Sequence, residues 1–250
     1  MNFEQFSQGK SFLHLLDTRV KLISSLILVL IIALSEVFPT AFAGLVLGLL
    51  LVVVARLEIP SVLRRLLLVN GFVAFLWLTL PLSYPGDTAF TVGPFTISYQ
   101  GILLASLITI KTNAIILILI SLIATSSVTD LGHSLGKLKM PVKFCLLLLF
   151  SYRYIFVINQ EFQRLVRAAR LRCFSPATTM HTYRTFSYLF GMTLIKSHHR
   201  AERVQQAMVL RGFQGKFYSL HTSALGPNEI VYSILVALAA AGLLYFELLY

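Results

Sequence analysis

Five long apolar stretches leave this chain few folds to choose from. Four open it, at about Leu22 to Leu34, Thr40 to Ala55, Leu66 to Leu82 and Ile102 to Ser126, and a fifth closes it, at about Ile230 to Leu244. Inside a bilayer no water is available to the backbone, so each stretch must satisfy its own N–H and C=O groups as a helix. Composition agrees: 57% of residues are hydrophobic and 12% charged, about half the charge of a soluble domain, with a mean hydropathy of +0.80. The expected class is an all-α integral membrane protein of about five transmembrane helices. Gly44 and Gly48 stand four apart in the second stretch, a small-xxx-small spacing that lets helices approach closely.

Charge sets the sidedness. Lys10, Arg19 and Lys21 precede the first span, Arg56, Arg64 and Arg65 join the second to the third, and Lys137, Lys139 and Lys143 follow the fourth. The segments after spans one and three, Glu36 to Pro39 and Tyr84 to Gln100, carry no Lys or Arg. By the positive-inside rule the N-terminus is expected in the cytosol. Met1 to Lys21 has no apolar run after a basic start, so no cleavable signal peptide is expected.

Val142 to Ile158 is apolar enough to count as another span, and charge argues against it. If it crossed, the ten Lys and Arg from Arg164 to Lys216 would lie outside, against Glu161 and Glu202 alone. The expectation is therefore a four-span bundle (1–126), a cytosolic region of amphipathic helices partly sunk into the membrane underside (127–228) and a final span (229–250) that leaves the C-terminus outside. Thr129 or Asp130 is expected to cap a short helix ending near Lys139 to Pro141. A long helix should follow to Arg172, stopped by Pro176, then another from about Thr185 to Arg211, stopped by Gly212. Asn228 is the expected N-cap of the last span.

The two long helices end alike. Setting Arg172 on Arg211 also superposes Arg164 on Arg203, Ala168 on Ala207, Leu171 on Leu210 and Phe174 on Phe213. The arginines and the alanine recur at i, i+4 and i+8, one helical face ending in a cation. A duplicated basic tip in an apolar chain suggests a part gripped twice by something acidic outside the membrane.

Leu171-Arg172-Cys173 and Leu210-Arg211-Gly212 resemble the paired Ala-Arg-Gly-like signatures of the transmembrane T component of energy-coupling factor (ECF) transporters, the CbiQ/EcfT family. His14-Leu15-Leu16-Asp17-Thr18-Arg19-Val20-Lys21-Leu22 is similar to that family's Leu-Asp-Pro-Arg-x-Lys-Leu motif, with Thr18 in place of proline, and Asp17 to Leu22 looks closest to CbiQ-like members. The resemblance spans essentially the whole chain. It implies a non-catalytic subunit of the bacterial or archaeal cytoplasmic membrane whose two coupling helices insert Arg172 and Arg211 into two ABC ATPase subunits. Its membrane helices would hold a metal-binding S component serving cobalt or nickel uptake, the alternative being a shared T component for vitamins. ATP and Mg would reside on the ATPases, with no cofactor on this chain. Leu171, Leu210, Cys173 and Gly212 complete the docking tips; Arg164 and Arg203 support their basic face or neutralise membrane lipid headgroups. Ala168 and Ala207 are expected where the coupling helices cross. Cys173 departs from the family's glycine and leaves the first tip without its usual left-handed residue.

Other chemistry finds little footing. The +11 formal charge would suit nucleic acid only as a basic face on a soluble fold. Cys145 and Cys173 are too few for a disulfide framework. His198 and His199 are adjacent and do not share a helical face, so no metal site is expected on this chain. His14 and Asp17 suit local capping. Lys111, inside span four, either faces a polar cleft or snorkels to the outer interface. No Gly-rich phosphate loop is present, an intramembrane enzyme would need a second buried ionisable group, and a stand-alone carrier would show inverted repeats.

Overall fold

The computed structural model describes residues 9, 11–85, 87–92, 95–215 and 226–249; Lys10, Lys216 and Tyr250 lie outside them. Among these the chain forms α1 (Phe12–Leu15), α2 (Thr18–Leu34), α3 (Phe38–Ala55), α4 (Ile59–Ser83), β1 (Thr88–Val92), β2 (Phe95–Ser98), α5 (Tyr99–Leu122), α6 (Val128–Lys137), α7 (Val142–Leu171), α8 (Met180–Leu210) and α9 (Pro227–Leu249). The all-α membrane architecture holds, with one small antiparallel hairpin added. In it Thr88 pairs with Ser98 and Val92 with Phe95, and a bulge falls between Thr88 and Phe90. Its sequence signal is a β-prone run on either side of Gly93-Pro94.

Five described helices are long and apolar enough to cross a membrane: α3, α4, α5, α7 and α9. Four carry expected spans. The helix of the first, α2, has 17 residues, short of the ~20 a bilayer asks for without its flanks, whereas α7 has 30.

The chain divides into two compact units, Met1–Ser134 with Ser223–Tyr250, and Leu135–Thr222. In the first, α3 and α5 pack along each other, with α2, α4 and α9 around them. Leu28, Ile32, Leu51, Ile118 and Leu122 are buried there. Lipid tails are as apolar as leucine, so close van der Waals fit must supply the attraction. The glycines provide it: a Cβ on Gly44 would lie 2.7 Å from the Ile32 side chain, and one on Gly48 3.0 Å from Leu117 Cβ and 3.2 Å from the Ala114 carbonyl.

Polar groups in this unit are matched across helices. Asn70 on α4 and Asn113 on α5 exchange amide hydrogen bonds of 3.0 and 3.1 Å, and Trp77 Nε1 donates to Thr109 Oγ1 at 2.8 Å. The Glu247 carboxylate accepts from the Glu36 N–H and the Thr40 hydroxyl, both at 2.9 Å. That seats an anion at the positive N-terminus of α3. Lys111 Nζ reaches the Ala33 carbonyl at 3.5 Å, the negative C-terminal end of α2.

Three caps differ from expectation. Ser127, not Thr129 or Asp130, caps α6: its Oγ accepts from the Asp130 N–H at 3.1 Å and donates to Asp130 Oδ2 at 2.6 Å, a reciprocal arrangement that needs the carboxylate three residues on. Asn228 lies inside α9, because Pro227 takes the first helical position, where its missing N–H has no partner to lose. α8 begins at Met180 rather than near Thr185, because Thr179 caps it by accepting from the Thr182 N–H at 3.4 Å.

Candidate coupling site

Unit two is built on α7 and α8. The turn between them is tight: Thr182 Oγ1 accepts from the Ala177 N–H at 3.1 Å, and Phe174 packs edge-on against Phe186 with centroids 5.8 Å apart.

Both helices stop in the same way. At the end of α7, Cys173 N–H bonds to the Arg170 carbonyl at 3.0 Å and Phe174 N–H to that of Ala169 at 3.2 Å; at the end of α8, Gly212 N–H bonds to Val209 at 2.9 Å and Phe213 N–H to Met208 at 3.0 Å. Each pair is a Schellman closure around a left-handed residue. Cys173 takes φ 64° and Gly212 φ 77°. The missing glycine therefore does not cost the first tip its turn: the closure holds a non-glycine residue in the left-handed region. Arg172 and Arg211 stand at the last half-helical position, and both are exposed. Leu171 and Leu210 beside them are each 88% exposed. Each tip thus presents an arginine and a bare leucine together.

The helices run antiparallel. Phe162 stacks on Phe190 with centroids 4.8 Å apart. Glu161 takes Lys196 at 2.6 Å, Arg164 at 3.6 Å and Arg200 at 3.9 Å. Further down, Arg153 and Arg211 line one groove. Arg153 to Arg172 is ~19 residues, so the arginine tips stand on the order of 30 Å apart at about 1.5 Å per residue.

Ala168 and Ala207 do not form the crossing. Both are exposed, and they lie on opposite arms of the pair: Ala207 sits beside Phe150 and Arg153, while Ala168 is one turn from the α7 tip. The antiparallel course separates them, and Phe162, Phe190 and Glu161 make the contact instead. Arg164 turns toward Glu161 on that same contact, whereas Arg203 is exposed on α8. His198 and His199 both approach Glu202, at 3.5 and 3.4 Å.

In unit one the N-terminal motif is a helix start. Asp17 caps α2, accepting from the Arg19 N–H at 3.0 Å, and Ser11 Oγ meets His14 Nδ1 at 2.6 Å. Lys21 is 1% exposed, and its Nζ donates to Ser126 Oγ, just after α5, at 3.3 Å. Sequence reasoning counted Lys21 as a sidedness charge and missed its burial.

The chain matches the family model described as cobalt transport protein, CbiQ, over residues 9–222. It is 27% identical over 224 residues, 84% of each chain, to the energy-coupling factor transporter transmembrane protein EcfT of Brevibacillus brevis. The protein of that name from Bacillus subtilis gives the same identity and coverage. The cobalt transport protein CbiQ of Rhodobacter capsulatus is 26% identical over 142 residues, 57% of each chain.

Proposed function

This chain belongs to the CbiQ cobalt-transport family, the T components of ECF transporters, and we propose that it is the subunit that couples two ABC ATPases to a metal-binding S component for cobalt or nickel uptake. The observation that carries the reading is the pair of matched tips, each an exposed Leu–Arg closed by a left-handed residue, at the two ends of the α7–α8 pair; helix rise spaces them on the order of 30 Å. Guanidinium is always charged and offers a rigid fork to carboxylates, so such a tip gains both energy and orientation in an acidic groove. Two similar tips at that spacing suit two similar subunits, one each. ATP with Mg belongs to those subunits; this chain transmits their closure through α7 and α8 to the membrane bundle. Residues 1–126 and 229–250 form the part that holds the S component, and 127–228 the coupling region. The EcfT relatives cover more of the chain than the CbiQ protein of Rhodobacter capsulatus does, which keeps a shared T component for vitamin uptake as the second reading.

The chain is a multi-pass membrane protein, and we place its N-terminus in the cytosol and its C-terminus outside. α7 pairs with α8, which carries Lys196, Arg200, Glu202 and Arg203. Drawing α7 across the bilayer would draw those charges into hydrocarbon, at about 2.5–3.5 kcal/mol each on insertion scales.

The deciding experiment is co-purification of the tagged chain from its native operon. Two ATPase polypeptides and one small membrane protein support the reading; recovery of the chain alone from intact membranes defeats it.

A further inference from the structure

A groove runs along the α7–α8 pair from Ile158 and Ser197 to Phe213 and Gln214. One half has a volume of about 720 Å³ and the other, by the α8 tip, about 520 Å³. The halves share Phe150, Tyr154, Val204, Met208 and Phe213, so they form one trough. Its walls are largely carbon, and its charged residues are Arg153, Arg200 and Arg211, with no carboxylate among the described lining residues. The Arg153 guanidinium lies 5.9 Å from the Tyr154 ring centroid, at the trough rather than turned away from it. Arg200 is 3.9 Å from Glu161, whose carboxylate Lys196 already meets at 2.6 Å, so its charge is only weakly engaged.

An apolar trough with a purely cationic rim calls for an amphiphile: hydrocarbon for the floor and an anion for the edge. A soluble anion leaves the floor wet, and a neutral lipid leaves the arginines without a partner. We propose that this groove binds an anionic phospholipid, its acyl chain along the trough and its phosphate on the arginine rim. The chain is a membrane protein, so that ligand is at hand. The phosphate falls to Arg153 and Arg200; Arg211, at the α8 tip, is left to the ATPase, so the proposal does not draw on the docking arginine.

The test uses the full-length protein in nanodiscs of mixed phosphatidylcholine and phosphatidylglycerol, with a photoreactive phosphatidylglycerol as probe. Labelling should map to 150–158 and 197–208 and be competed by phosphatidylglycerol but not by phosphatidylcholine. Arg153→Gln with Arg200→Gln should cut labelling about fivefold per arginine, hence roughly 25-fold together. Ala201→Trp fills the trough from an exposed position, leaves every arginine in place, and should abolish labelling. Both variants keep Arg211, so ATPase co-purification should be unchanged. Equal competition by phosphatidylcholine, or labelling that survives Ala201→Trp, overturns the proposal. So does labelling that disappears when a membrane partner co-purifies and returns when it is stripped, since the groove is then a protein interface.

Discussion

Cys173 and Gly212 hold the same left-handed backbone, φ 64° and 77°, and each donates its N–H three residues back, to Arg170 and Val209. One is strained there and the other is not, because only glycine lacks the Cβ that meets the carbonyl in this region. Cys173→Gly should therefore stabilise the α7 end, and Gly212→Ala should weaken the α8 end, each by ~1 kcal/mol. Hydrogen exchange at the Phe174 and Phe213 amides reads both ends in one sample. Faster exchange at Phe174 in Cys173→Gly contradicts this account.

Charge reversal at both tips, Arg172→Glu with Arg211→Glu, should abolish ATPase association while the membrane bundle stays folded. It should be more severe than the double alanine variant, since reversal adds repulsion to an unsatisfied acidic partner. Pull-down of the ATPases at fixed salt measures it, and unchanged recovery removes the docking role from these arginines.

The α7–α8 contact rests on Phe162, Phe190 and Glu161. Phe190→Ala should loosen it, losing the stacked pair, worth about 0.5–1.5 kcal/mol beyond burial, and should lower uptake per ATP hydrolysed in reconstituted complex. Ala168→Leu with Ala207→Leu enlarges exposed positions on separate arms and should leave that ratio within error. The reverse ranking would place the crossing back at the alanines.

Among the described glycines Gly101 lies nearest to other backbone: a Cβ there would lie 2.7 Å from the Leu80 carbonyl and 2.8 Å from Pro81 Cα. Backbone cannot swing aside, so Gly101→Ala should destabilise the detergent-solubilised protein by about 1–3 kcal/mol. Gly71→Ala, with open space around it, should be neutral or slightly stabilising. Thermal unfolding of the two variants side by side checks the contrast.

Reporter fusions at Ser175 and Tyr250 should report opposite sides, cytosol for the first and outside for the second. Ser175 outside with Tyr250 in the cytosol would mean that α7 crosses after all, and both in the cytosol would mean that α9 does not cross.

Much of this protein was legible from residues near one another in the chain. Apolar run length gave the helices of the bundle, and the duplicated Leu–Arg pairs gave the two tips, because hydropathy and helix ends are set by contacts within a turn or two. The antiparallel course of α7 and α8 was not legible. It places Arg172 and Arg211 about 30 Å apart and puts Ala168 and Ala207 on different arms, so a repeat that looked like a shared crossing is a repeat of two separate ends. The burial of Lys21 against Ser126, 105 positions away, and the pairing of Glu247 with the start of α3, 207 positions from Thr40, were equally hidden. Sequence spacing fixes which face of a helix a residue occupies; which helix meets that face depends on packing between distant segments, and only the tertiary structure decides it.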